Sequence, residues 1–138
     1  MEQLLKRIEA KHDKMVSFLE TLVNIDSGND CPEGVAKVAR IVGGKLQEMK
    51  FDVEYLDYPG ACTHLLAHKK GTGDKEVMII GHMDTLFPVG TAAARPFTIR
   101  DDKAYGPGVL DMKGGITIAL FALEALYESG WNDKNVTI

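Results

Sequence analysis

The stretch EVMIIGHMDTLFPVG, residues 76–90, constrains this chain more than any other part of it. Its apolar centre, residues 77–80, is continuous rather than alternating, which reads as a central strand covered on both faces. The run stops at Gly81 and is followed at once by His82 and Asp84. In α/β sheets ligands collect beyond the carboxyl ends of strands, so this junction is where a site belongs. Residues two apart on extended chain point to the same side. Asp84 could therefore accept a hydrogen bond from one ring nitrogen of His82 and leave the other aimed at an electrophile.

The elements around that strand follow from periodicity. Leu5, Ile8, His12, Met15, Leu19 and Leu22 step by three and four, predicting one amphipathic helix from the start to about Val23. His12 on that stripe reads as a packed or edge-exposed residue, not a ligand. The turn-forming NIDSGNDCPEG ends this helix, with Asn29 or Asp30 able to cap a second one that Pro32 starts. Val35, Val38, Val42, Leu46 and Met49 give its buried face. Gly43 and Gly44 each cost that helix roughly 1 kcal/mol relative to alanine, which points to close packing against a neighbour.

FDVEYLD alternates as a half-buried strand, Pro59 and Gly60 turn the chain, and THLLAHKK is a second strand before the GTGD turn. PFTIRDDKAYGPG predicts a hairpin around Asp101 and Asp102. From about Gly114, Ile116, Leu120, Leu123 and Tyr127 trace a buried helix closed by Gly130, and NVTI opens one more strand. The order is mixed α/β, a sheet flanked by helices, without a repeat or an internal domain boundary.

Composition excludes several classes. The chain's 138 residues, 45% hydrophobic and 26% charged, suit one ordinary α/β domain with a core. Sixteen Lys and Arg against 20 Asp and Glu leave a net charge of -4, without the basic excess that draws proteins to nucleic acid or anionic membranes. No segment approaches the roughly 20 apolar residues of a membrane span, nor does the N-terminus read as a signal peptide, so the cytoplasm is the expected location. Cys31 and Cys62 stand at no metal-like spacing and read as free thiols.

A second cluster, YGPGVLDMKGG, puts Asp111 in a glycine-flanked loop before the last helix. A carboxylate has two oxygens, so one aspartate can bridge two cations roughly 3.5 to 4 Å apart, as in two-metal hydrolytic sites. Histidine with carboxylate suits zinc, and manganese or cobalt would accept the same donors. HMD and GPG are each common alone. Their occurrence in this order, each at a junction of elements, is far more specific.

GHMDTLFP followed by PFTIRDDKAYGPGVLDMKGG resembles the start of the catalytic domain in the co-catalytic zinc exopeptidases and deacylases. That family includes glutamate carboxypeptidase, acetylornithine deacetylase, succinyl-diaminopimelate desuccinylase, aminoacylase and related dipeptidases. YGPG looks most like the glutamate carboxypeptidase branch, and the opening helix, LVNIDSG loop and second helix fit the same pattern. The resemblance implies two zinc ions, His82 as ligand of one, Asp111 as the bridging carboxylate, Asp84 as the catalytic-site support of the imidazole, and a cis Asp111–Met112 peptide. It implies hydrolysis of peptides or N-acylated amino acids by a water that the two ions activate.

Relatives of this kind continue from a strand like NVTI into two adjacent glutamates, one a general base and one a ligand, and later into further ligands and a lid domain. This sequence shows none of these by Ile138. Residues 1–138 are therefore expected to be the N-terminal portion of the catalytic domain and to be inactive alone. The competing expectation is a non-catalytic module that keeps the fold and self-associates, as a homodimer, through a bare NVTI edge. A serine hydrolase is excluded by the lack of a G-x-S-x-G elbow at Ser17, Ser27 or Ser129. His64 and His68, in a strand at i and i+4, and Arg95 and Arg100 read as surface residues.

Overall fold

The computed structural model describes residues 2–58 and 61–138, so the expected turn at Pro59 and Gly60 lies outside the described residues. The first stripe forms two helices instead of one, α1 (Glu2–Glu9) and α2 (His12–Val23). The chain breaks where the Lys11 amide bonds to Ile8 O and the Lys11 ammonium reaches Glu124 and Glu128, 2.9 and 2.8 Å away on the last helix. Those tertiary ion pairs hold the backbone where periodicity alone would have continued the helix. α1 buries no residue, whereas α2 buries Leu22 and Val23. His12 opens α2 with its ring exposed beside Asp13.

α3 (Pro32–Glu48) begins at the expected proline and buries Val35, Val38, Val42 and Leu46. Neither Asn29 nor Asp30 caps it. Proline at the first helical position fixes the cap residue as Cys31, one place too late for Asp30, and the Cys31 carbonyl accepts from the amides of Gly34 and Val35. Close packing explains one of the two later glycines. A Cβ on Gly43 would lie 2.2 Å from Tyr55 Oη, but one on Gly44 would meet nothing within 4 Å.

The sheet has four strands in the order β1-β2-β6-β3. β1 (Asp52–Leu56) runs antiparallel to β2 (His64–Lys69), β2 antiparallel to β6 (Lys134–Thr137), and β6 parallel to β3 (Lys75–Met78), with Val77 opposite Val136. Two expectations are overturned here. β3 is an edge strand, because β6 is its only partner among the described residues, and Val77, Met78 and Ile80 are 38, 70 and 81% exposed. The NVTI strand is internal, hydrogen-bonded on both sides, and offers no bare edge. A continuous apolar run specifies that a strand should be covered, not which neighbour covers it.

After β3 come the short α4 (Thr91–Ala94) and the hairpin of β4 (Thr98–Arg100) and β5 (Lys103–Tyr105), whose tip at Asp101 and Asp102 has positive φ of 50° and 56°. Residues 109–114 form an irregular turn that leads into α5 (Gly115–Glu128), closed as expected by Gly130 at φ 83°. The core joins α2, α3, β2, α5 and β6 through Leu22, Val38, Leu46, Ala67, Leu120, Phe121 and Val136. Burying a side chain such as Leu46 contributes about 2 kcal/mol. Glu124 on α5 accepts from Lys45 of α3 as well as Lys11, so it ties α5 to α3 and to the turn before α2. Burial pushes its carboxyl up, but the Lys45 and Lys11 ammoniums outweigh that and hold it below the usual carboxylate range.

Candidate metal centre

β3 aims the chain at the site. Its ladder with β6 continues through the Ile79 amide bonded to Thr137 O at 2.9 Å, and His82 emerges just beyond the strand's carboxyl end. From the other side, Asp111 arrives on the turn before α5, with non-helical φ and ψ of −123° and 98°. Gly108 is required there. It adopts φ 72°, and a Cβ on it would stand 2.6 Å from Thr85 Cγ2. The peptide between Asp111 and Met112 is cis.

The two side chains meet. His82 Nε2 is 3.0 Å from Asp111 Oδ1, and Nδ1 is 3.2 Å from both Asp84 Oδ1 and the Asp84 carbonyl oxygen. The His82 amide also donates to Met112 Sδ at 3.3 Å. The Asp111 carboxylate raises the ring's pKa against a smaller opposing effect of burial, with Asp84 adding to the rise. A protonated ring donates to both carboxylates, whereas a neutral ring donates to only one.

These residues fit a cation. Two donors bound at 2.0–2.1 Å to one tetrahedral zinc stand roughly 3.3 Å apart, close to the separation between His82 Nε2 and Asp111 Oδ1. A bound cation would need Nε2 unprotonated, with the Nδ1–H donating to the Asp84 carboxylate and so fixing the tautomer. The Asp111 side chain is 85% exposed, so its second oxygen is accessible. Among the described residues no cluster of three or more His, Cys, Asp or Glu is placed to hold an ion. A cleft of about 440 Å³, lined by His82, Asp84, Phe87, Gly108, Leu110 and Asp111, opens beside the pair.

Of the other candidates, His64 and Cys62 share a second cavity with His82 and Asp84, but none of them is hydrogen-bonded to His82 or Asp111. His64 faces Tyr58 edge to face, and His68 Nδ1 lies 3.1 Å from Thr137 Oγ1, both on an exposed side of β2. The Arg95 and Arg100 guanidiniums lie over the rings of Phe87 and Tyr105. Cys31 is buried, Cys62 partly so, and both are free.

Residues to which sequence reasoning gave no role stand next to the pair. Lys113 is 1% exposed, and its Nζ donates to Ile25 O at 2.8 Å. Burial lowers its pKa to about 8, partly opposed by the charge of Asp26. Asp26 accepts from the amides of Gly90 and Ala92 at 2.7 and 2.8 Å, which hold its carboxyl below the usual range. The only sequence signal for these two was a lysine beside Asp111 and an acid within a turn-rich loop. Neither pattern says that Lys113 reaches the loop that carries Asp26, at Ile25, 88 positions earlier.

Residues 78–138 match the profile of Peptidase family M20/M25/M40. Over these residues the chain resembles that family. Among curated proteins it is similar to Carboxypeptidase G2 of Pseudomonas sp. (strain RS-16), at 36% identity over 121 residues, 86% of this chain and 29% of that protein. It is 33% identical to Beta-Ala-Xaa dipeptidase of Lactobacillus delbrueckii subsp. lactis, across 91% of this chain and 28% of the dipeptidase. Acetylornithine deacetylase of Salmonella arizonae is 32% identical over 80% of this chain and 28% of its own length.

The same fold recurs in solved structures. The M20 family metallo-carboxypeptidase Sso-CP2 from Sulfolobus solfataricus superposes with a TM-score of 0.76 at 20% identity, covering 89% of this chain and 29% of that one. Human carnosine dipeptidase 1 gives 0.77 at 22%, covering 99% and 33%. The chain thus spans less than a third of the length of the curated relatives named here. No helix among the described residues is long and apolar enough to cross a membrane.

Proposed function

We propose that residues 1–138 are the N-terminal portion of the catalytic domain of a metal-dependent hydrolase that cleaves amide bonds of small peptides or N-acyl amino acids. The observation that carries this reading is the 3.0 Å approach of His82 Nε2 to Asp111 Oδ1, with Asp84 on the far ring nitrogen. His82 and Asp111 would hold zinc, with cobalt or manganese as alternatives, and Asp111 has an oxygen free for a second ion. When bound, such ions supply Lewis-acid polarisation of the scissile carbonyl and a more acidic water. Asp84 keeps the His82 ring in the tautomer whose Nε2 is a lone-pair donor. The cleft beside Leu110 and Phe87 gives the substrate an apolar wall.

The 138-residue chain alone is inactive in this reading. One imidazole and one shared carboxylate fall short of the roughly three protein ligands that a catalytic zinc takes. The test compares this chain with a version read through to the stop codon of its gene, each titrated with zinc and assayed on dipeptides and acyl-glutamates. The longer protein is expected to hydrolyse amides, to lose activity in His82→Ala and Asp111→Ala, and to lose about 10- to 100-fold in Asp84→Asn. Full activity in His82→Ala, or turnover by the short chain, would refute the reading.

One observation favours a second reading, in which the chain acts as a self-associating module. The β3 edge is unpaired among the described residues and exposes Met78 and Ile80. An inert long version together with a concentration-dependent dimer in sedimentation would favour that module.

A further inference from the structure

Four consecutive residues of the NIDSG loop each hold a different part of the chain. Asn24 Oδ1 accepts from the Phe97 amide at 2.8 Å, Ile25 O from Lys113 Nζ at 2.8 Å, Asp26 from Gly90 and Ala92, and Ser27 O from the Thr85 amide at 2.8 Å. Thr85, Gly90, Ala92 and Phe97 lie on the arm that follows His82, and Lys113 on the arm that carries Asp111. The loop is therefore a hub between two arms that are joined in sequence by the exposed β4–β5 hairpin.

Lys113 is the bond from this hub to the second arm. Its amide donates to Gly108 O at 3.0 Å, closing the turn around Asp111, while its stem passes beside Gly108 and its ammonium reaches Ile25. A methionine would fill the same volume without desolvating a charge, so stability does not explain an ammonium there. Asp26, which pins the first arm by two amides, supplies the opposing charge.

We infer that Lys113 and Asp26 are positioning residues, a clamp built on the 24–28 loop that sets Asp111 against His82. The inference rests on the proposed metal-centre reading only for its purpose, since the hydrogen bonds it invokes are all between atoms of this chain. The test is NMR of the isotopically labelled 138-residue chain in chelator, following the ring resonances of its four histidines. Asp111→Ala marks where the His82 resonances fall once the contact is gone. In Lys113→Met and in Asp26→Asn the His82 resonances are expected to move most of the way to that mark. Those of His12, His64 and His68 should stay in place, and the urea midpoint of Lys113→Met should be no lower than wild type.

The inference is overturned if His82 stays put in whichever variant folds, if all four histidines move together, or if Lys113→Met unfolds. The last result would make the ammonium a stabilising group and nothing more. Zinc added to the version read through to the stop codon reads the other question separately. A His82 signal indifferent to zinc in that longer protein would refute the metal centre and leave the clamp result standing.

Discussion

Three glycines of α3 offer an internally controlled test of how the hub packs. Helix propensity alone says that replacing any of them by alanine stabilises the chain by about 0.5–1 kcal/mol. The structure separates them. A Cβ on Gly34 would lie 1.7 Å from Asp26 O, a backbone atom, where real Cβ contacts essentially never fall below 3.0 Å. The first turn of α3 and the 24–28 loop must then part by at least 3.0 − 1.7 = 1.3 Å, more than the bonds of Asp26 to Gly90 and Ala92 can follow. Overpacking costs about 1–3 kcal/mol. Weakening one or two of the hub's hydrogen bonds adds about 1 kcal/mol each. After the gain in propensity, Gly34→Ala is expected to destabilise by about 1–4 kcal/mol. Gly43→Ala meets the hydroxyl end of Tyr55, a side chain that can swing, and should cost about 1 kcal/mol. Gly44→Ala meets nothing and should gain up to about 1 kcal/mol. Urea unfolding followed by far-UV circular dichroism and by the single Trp131 gives all three values, with unchanged m as the check on two-state behaviour. A Gly34→Ala variant as stable as Gly44→Ala would refute the packing of the loop against α3, and the clamp with it.

Glu124 gives a pH dependence. Its folded pKa lies below the unfolded value of about 4.3, so its contribution is present above that value and disappears as pH falls through the folded pKa. Glu124→Gln should lower stability at pH 7 by about 1–3 kcal/mol and flatten the acid limb of stability against pH; identical limbs would remove the ion-pair network from the account. At the sheet edge, Met78→Lys with Ile80→Lys should leave the unfolding midpoint within about 0.5 kcal/mol of wild type while reducing light scattering at high concentration. A large loss of stability would show that these side chains are covered. Leu46→Ala, at a fully buried position, should cost about 3 kcal/mol in the same denaturation assay.

Local pattern along the chain set the elements and the chemistry at their ends. Periods of 3.6 and 2 placed α3, α5 and the β1–β2 pair, and an i, i+2 histidine and aspartate on extended chain are local facts that survive any packing. Local rules failed where a distant partner decided the outcome. Lys11 broke the first helix because Glu124 and Glu128 wait on α5, and β3 lies at the edge because β6 took the place inside. Lys113 looked like one more lysine until the fold buried it against Ile25. Which apolar strand is inner, and which charge is desolvated, are properties of neighbours far away in the chain. Such neighbours acquire meaning only when the chain closes, because hydrogen-bond and desolvation energies depend on separation in space and not along the sequence.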